Sequence, residues 1–138
     1  VTETAEGKAA QKRLDSMYSS KRGELERMQS DLQKKATDLQ SRQSILSPDA
    51  LQKEQQELYV KQAEFEQTYM RFQDEFQKTY SAMLGELDTK MRAIAGKTAQ
   101  SKSCSILLDK AAVVYAGSDV ADVSSSLVDR FNREHPGK

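Results

Sequence analysis

Apolar residues in the first hundred positions recur at alternating spacings of three and four. The first repeat runs from about Glu3 and consists of Leu14, Tyr18, Leu25, Met28, Leu32, Leu39 and Leu46. The second repeat runs to about Ala99 and consists of Leu51, Leu58, Phe65, Tyr69, Phe72, Phe76, Tyr80, Met83, Leu87, Met91 and Ile94. Seams of this kind predict two long helices that pack against each other as a coiled coil.

A turn signal separates the two repeats at Ser47 and Pro48. Serine caps a helix N-terminus well, and proline suits the first helical turn because its missing N–H would have no partner there. Folding the chain back at this point brings Leu39 opposite Leu58, so the two seams match in one register. We predict an antiparallel αα-hairpin with arms about 65 Å long, from the helical rise of about 1.5 Å per residue.

Two polar layers interrupt this seam near the turn. The same register places Arg42 opposite Gln55 and Lys35 opposite Gln62. Because polar residues at seam positions lower the stability of a coiled coil, we expect the arm to loosen toward the turn.

The chain after about residue 100 has a different pattern. Two short apolar, β-branched runs, "CSILLD" and "AAVVYA", predict two strands, and Ser118 is predicted to cap a C-terminal amphipathic helix. Two strands and one helix cannot form a sheet that is stable alone, and their edges need cover. We therefore predict an arm over residues 1–100 and an oligomerisation body segment over 101–138, with its interface at Ile106, Leu108, Val113 and Tyr115.

Composition limits the function further. The chain has 21 basic and 21 acidic side chains, so no net charge attracts it to nucleic acid or to an anionic membrane. It contains no apolar run of 18 residues, and we expect no stable insertion into a membrane. The opening residues show no charged and apolar leader, which leads us to expect a mature, cleaved chain or one that was never exported.

The residues that usually carry chemistry are few. Cys104 is the one cysteine and starts a predicted strand, so we expect a structural thiol. His135, the one histidine, lies in a polar tail and cannot hold a metal ion by itself. We predict no catalytic residue, no metal site and no cofactor, and the chain is not expected to be an enzyme.

The order of these elements resembles a known family. The stretches "AEGKAAQKRLDSMYSSKRGELERMQSDLQ" and "ILLDKAAVVYAGSDVADVSSSLVDRFN" resemble the Skp/OmpH family of periplasmic chaperones over nearly the whole chain. The C-terminal stretch is the more specific of the two, because any coiled coil resembles the hairpin. The resemblance implies a mainly α fold with a small β part, in which the hairpin arm stands on a small β-rich trimerisation body.

The resemblance also implies a function. Members of the family form periplasmic homotrimers that hold unfolded outer-membrane proteins between their arms, without ATP. Two features depart from the family pattern: no strand precedes "GKAAQ", and the chain is neutral where relatives are often basic. Because the first strand is missing, the resemblance leaves open whether the trimer closes. Because the chain is neutral, we do not extend to it the lipopolysaccharide binding of basic relatives.

Residues off the seam are the candidates for holding clients. Methionine and tyrosine adapt to varied partners, as a promiscuous surface requires. The candidates are Met17, Ile45, Tyr59, Val60 and Met70. One alternative is a structural or adaptor coiled coil that binds a single folded partner, and another is a cytosolic chaperone that resembles prefoldin.

Overall fold

The structure, a computed structural model, describes residues 2–137 and consists almost entirely of helix. Helix α1 spans Ala5–Arg42, α2 spans Pro48–Ser101 and α3 spans Ser124–Glu134, and a single 3₁₀ turn covers Lys110–Ala112. Val1 and Lys138, the outer ends of the two predicted segments, lie outside the described residues.

The two long helices have recognisable capping groups. The Thr4 hydroxyl accepts the N–H of Gly7 at the start of α1, at 3.0 Å. At the start of α2, the Ser47 hydroxyl accepts the N–H of Ala50 at 3.3 Å, which confirms the predicted cap. Helix α2 ends at Ser101, and Ser103, two residues later, adopts a left-handed conformation with φ of 54°.

Residues 14–79 form one compact unit, here called the turn unit. Within it, Lys35 of α1 contacts Glu57 of α2, and Arg42 contacts Glu54 nearer the turn. Because the partner's number falls as the α1 number rises, the two helix segments run antiparallel. The half-buried residues of α1 follow the three-four alternation of a coiled-coil seam.

The described residues 2–13 and 80–137 form the second compact unit, here called the terminal unit. Its core joins Leu87 and Ile94 of α2 to Phe131 of α3, with Ala10, Met91 and Leu127 packed around them. Phe131 is fully buried and Ile94 is 1% exposed. The side chain of Asn132 also accepts the N–H of Ala5 at 2.7 Å, which ties α3 to the start of α1.

The predicted β part of the fold is wrong. No strand is present among residues 2–137: the two runs predicted as strands are irregular, and the 3₁₀ turn Lys110–Ala112 lies at their junction. Asp109 and Val113 on either side of that turn have extended backbone angles. Extended residues form a sheet only when a second strand pairs with their N–H and C=O groups, and these two runs do not pair with each other.

The start of α3 also differs from the prediction. The helix begins at Ser124 and not after Ser118. The Asp122 carboxylate accepts the N–H of Ser124 at 2.9 Å, so it satisfies one of the free amides of the first turn. The predicted cap at Ser118 is therefore wrong, because Asp122, four residues later, supplies the hydrogen-bond acceptor at the start of the helix.

None of the helices among the described residues is both long and apolar enough to cross a membrane.

Candidate functional site

The largest exposed apolar side chains of the turn unit lie mainly on α2. Tyr59 is 69% exposed and Met70 is 68% exposed. The two residues are eleven positions apart, and eleven residues at 100° each bring the second within about 20° of the first around the helix. Val60 and Tyr69, each 45% exposed, lie on opposite sides of this line. Because Val60 and Tyr69 are nine positions apart, they lie about 180° from each other around the helix, and only Tyr59 and Met70 are called the α2 face below.

The other two predicted client-binding residues are placed differently. Ile45 lies in the turn between α1 and α2 and is 79% exposed. Met17 is half-buried and follows the seam spacing after the buried Leu14, whereas its neighbour Tyr18 is exposed. The structure thus leaves Ile45 accessible in the turn and places Met17 at a seam position.

Tyr18 stays close to the seam despite its exposure. Its ring centroid lies 5.9 Å from that of Phe72 and 5.9 Å from that of Phe76. The two phenylalanine rings are themselves 6.0 Å apart. Such aromatic contacts stabilise the pair of helices. They explain why most aromatic residues of the α2 repeat pack in the seam and are not free surface.

Charged layers cross the turn unit nearer the turn. Lys35 Nζ lies 2.6 Å from Glu57 Oε2, and Arg42 Nη2 lies 2.8 Å from Glu54 Oε1. The predicted layers contained these two cations but assigned them glutamine partners. The hydrogen bond from Lys35 lowers the pKa of the Glu57 carboxyl below its usual value. Carboxylates one or five positions from the predicted glutamines attract the cations more strongly than neutral amides do.

On the α1 side, the turn unit presents a polar surface. A shallow, open depression of about 580 Å³ lies along α1 and is lined by Ser30, Gln33, Lys34, Thr37, Asp38 and Ser41. Every lining residue is polar or charged, in contrast to the α2 face. The two helices of the turn unit therefore offer chemically different surfaces.

The residues predicted for oligomerisation lie in the irregular segment after α2. Ile106 is 74% exposed, Leu108 is 68% exposed and Tyr115 is 85% exposed, while Val113 is half-buried. Val114, which the prediction omitted, is fully exposed. A run of large apolar side chains open to water is costly for an isolated chain and typical of a surface that another chain covers.

Ion pairs reinforce the terminal unit. Glu134 of α3 receives hydrogen bonds from Lys97 at 2.5 Å and from Arg130 at 3.2 Å, which lower the pKa of its carboxyl. Lys110 lies 2.9 Å from Asp122, and hydrogen bonds from Ser124 and Lys110 lower the pKa of Asp122. These contacts link α3 to α2 and to the 3₁₀ turn, and sequence periodicity gave no sign of them.

The described residues contain no group of three or more histidine, cysteine, aspartate or glutamate side chains arranged to hold a metal ion. Cys104 is a free, half-buried thiol whose Sγ approaches the Lys102 carbonyl oxygen at 3.8 Å. The His135 ring packs on Phe131, with centroids 4.9 Å apart. Both residues have packing contacts, and the chemistry of the surface comes from exposed apolar side chains.

Sequence reasoning missed Tyr69 and Val114 as exposed residues. It assigned Tyr69 to the seam, but Thr68 is the half-buried position there. Continuing the three-four alternation from Phe65 gives Thr68 and then Phe72, which identifies Thr68 as the seam position. The prediction chose Tyr69 only because of its aromatic character.

Comparisons with known proteins agree with the resemblance seen in the sequence. The family described as "Outer membrane protein (OmpH-like)" matches residues 1–131. The chaperone protein Skp of Escherichia coli strain K12 is 26% identical over 115 residues, which cover 83% of this chain and 70% of Skp. Skp of Shigella flexneri matches with the same identity and coverage.

A solved structure supports the fold. A crystal structure of an OmpH-like protein from Caulobacter crescentus CB15 superposes with a TM-score of 0.88 at 23% sequence identity, over 96% of this chain and 78% of that one. The name shared by the sequence relatives supports a chaperone role for this chain. Because the family match extends over residues 1–131, the chain belongs to the OmpH-like family.

Proposed function

We propose that this chain is a periplasmic holdase that binds unfolded outer-membrane proteins and prevents their aggregation without nucleotide. Membership of the OmpH-like family and the similarity to Skp support the chaperone part of this proposal. The observation that carries the binding part is the exposure of Tyr59 and Met70 on one face of α2. Apolar side chains held in water at this spacing are available to an unfolded chain.

The proposed mechanism is many weak contacts. A single exposed tyrosine or methionine contributes little affinity, because burying one apolar side chain stabilises a contact by about 1.5–3 kcal/mol at most. Several such contacts on one protein add up, since each bound segment raises the effective concentration of the next. Release of the client then needs no nucleotide hydrolysis, because each contact can break separately.

The two predicted segments have separate roles in this proposed function. The client-binding residues Ile45, Tyr59, Val60 and Met70 fall within residues 1–100. Ile106, Leu108, Val113 and Tyr115 fall within 101–138, and we propose that they join three copies of the chain as a homotrimer. Sedimentation of the parent protein and of Leu108→Asp tests this: a trimer that persists unchanged in the variant contradicts the assignment.

The test of holding uses light scattering from a denatured outer-membrane barrel protein diluted out of urea. The parent chain is expected to suppress the scattering of several unrelated barrels at near-stoichiometric amounts. The double variant Tyr59→Ser with Met70→Ser is expected to need severalfold more protein for the same effect. Gln56→Ser with Gln67→Ser is the matched control, because these exposed residues lie on the same helix with the same spacing of eleven.

Two results would overturn the proposal. If the parent chain suppresses no barrel protein, the holdase function is excluded. If it binds one folded protein tightly and ignores unfolded barrels, the adaptor function is the correct one.

A further inference from the structure

The residues that follow α3 lie across the start of α1 in the terminal unit. At the end of α3, Asn132 Oδ1 accepts the N–H of Ala5 at 2.7 Å. Five residues further on, a Cβ added to Gly137 would lie 2.6 Å from the carbonyl carbon of Ala5 and 2.7 Å from its oxygen. The backbone of Gly137 therefore lies directly on the first turn of α1. Residues 135–137 are called the strap below.

The two ends of the strap are held in different ways. At its start, the His135 N–H donates to the Phe131 carbonyl at 2.7 Å, and the His135 ring packs on the fully buried Phe131 ring. At its other end, Gly137 has a φ of 33°, a backbone conformation that residues with a side chain rarely adopt. The close approach to α1 and the positive φ are separate reasons for glycine at this position. The strap is thus anchored to the terminal core and contacts α1 through its backbone.

The strap also forms one side of a partly open cavity of about 350 Å³ in the terminal unit. Helix α1 contributes Glu6 and Ala10 to the lining, and α2 contributes Met83 and Leu87. The side chains of Ala10 and Leu87 belong to the packing of the terminal core. Movement of the strap away from α1 would therefore open this cavity to water at the edge of the core.

The closed position of the strap leaves one polar atom without a partner. Glu6 Oε1 pairs with Lys90, whereas Glu6 Oε2 is buried and has no hydrogen-bond partner. A buried oxygen that lacks a partner destabilises the conformation that buries it. Because Glu6 lines the same cavity, water that enters when the strap moves away can hydrate this oxygen. That gain offsets part of the packing lost at Gly137.

We propose that the strap is a conformational latch: when closed it fixes the first turn of α1, and when open it lets that turn detach while α2 and α3 stay packed. The core formed by Ile94 and Phe131 does not include the strap, so opening leaves it intact. Local openings of this kind require less free energy than unfolding of the whole chain. The strap lies beyond residue 131, where the match to the family ends, and the inference does not depend on the proposed function.

Amide hydrogen exchange of the full chain, followed residue by residue by NMR, tests the latch. Gly137→Ala places a methyl group where the backbone of Ala5 lies, and it is expected to speed exchange at Ala5 and Gly7 at least about fivefold while Ile94 exchanges as before. Gly96→Ala is the matched control. It makes the same change in the same unit, and its new Cβ has no other atom within 4 Å. Exchange at Ala5 and Gly7 is expected to stay unchanged in the control.

A second pair of variants tests the contact at the other end of α3 and decides the question if Gly137→Ala does not fold. Asn132→Leu removes the acceptor for the Ala5 N–H, and Asn132→Asp keeps an oxygen there, with a charge that suits a helix N-terminus. Exchange at Ala5 is expected to rise in the leucine variant and not in the aspartate variant. A loss of general packing would raise it in both.

Three results would overturn the inference. Exchange at Ala5 and Gly7 that is the same in Gly137→Ala and in the parent protein means that the strap does not hold α1. Equal acceleration at Ile94 means that the whole terminal unit loosens and that no separate latch exists. Equal acceleration in Asn132→Leu and Asn132→Asp means that the hydrogen bond to Ala5 does not secure the first turn.

Discussion

The two compact units of this chain use their apolar residues in opposite ways. In the terminal unit, Phe131 and Ile94 are almost completely removed from water and three helices share one apolar core. In the turn unit, two helices have only one seam between them, and Tyr59 and Met70 remain open to water. A third helix makes the difference, because it covers a face that a two-helix pair must leave exposed.

The two units also differ in where their ion pairs lie. The turn unit places the pairs Lys35–Glu57 and Arg42–Glu54 in its seam, and their side chains are between 24% and 48% exposed. The terminal unit uses ion pairs such as Lys97 with Glu134 around an apolar core. Half-buried ion pairs hold two helices in register at low net stability, whereas an apolar core supplies stability itself.

Removal of Phe131 should have the largest effect on this contrast. Phe131→Ala deletes a fully buried ring from the terminal core, and such deletions cost about 3–5 kcal/mol. Urea unfolding followed by circular dichroism measures the loss. Phe76→Ala in the turn unit is the comparison, because Phe76 is only half-buried and should cost clearly less. Equal losses would contradict the difference between the two units.

Replacing a charged seam layer with apolar residues should make the turn unit more like the terminal unit. Arg42→Leu with Glu54→Leu is expected to stabilise the protein, because apolar side chains at a seam position pack against each other, whereas this partly exposed ion pair contributes little. The thermal midpoint measures the gain. Lys78→Leu with Asp74→Leu removes an exposed pair within α2 and should give none; a gain of the same size there would mean that the seam position is irrelevant.

Acid should weaken the ion pairs of the terminal unit. Hydrogen bonds from Lys97 and Arg130 lower the pKa of Glu134 in the folded protein, so its contribution is complete above the unfolded pKa of about 4.3 and is lost as pH falls through the lower folded value. Thermal midpoints measured between pH 7 and pH 3 should be level at first and fall below about pH 4.5. Glu134→Gln should fall less steeply, and an identical fall in both proteins would exclude Glu134 as a cause.

A change in salt concentration should have the smallest effect, and the property affected is client binding by the turn unit. Client binding through apolar contacts should change little between about 50 and 500 mM salt, although the screening length shortens about threefold over that range. Titration of an unfolded barrel protein at both salt concentrations measures this. A steep loss of affinity at high salt would mean that charge, and not the α2 face, holds the client.

Much of the helical structure could be predicted from the sequence. The three-four alternation located both long helices, and Ser47 located the start of α2, because seam spacing and capping are local properties of a chain. Residues at the edges of the seam were harder. Met17 and Tyr18 differ by one position, and aromatic character favoured Tyr18 although the spacing of the half-buried residues selects Met17.

The segment after α2 could not be predicted in the same way. The runs around Leu108 and Val114 have strand composition, yet a strand needs a partner that this chain does not supply among its described residues. The start of α3 depended on the Asp122 carboxylate, which a serine upstream concealed. Partners of Lys35 and Arg42 likewise depend on side-chain reach across the seam, which periodicity does not specify.

Hydroxyl-radical footprinting with and without an unfolded outer-membrane barrel protein tests the central claim most directly, because methionine and tyrosine are oxidised readily when exposed. The account predicts that the client protects Tyr59 and Met70 in the turn unit and leaves the oxidation of Tyr80, 40% exposed in the terminal unit, unchanged. Protection of Tyr80 with no protection of Tyr59 and Met70 would contradict it.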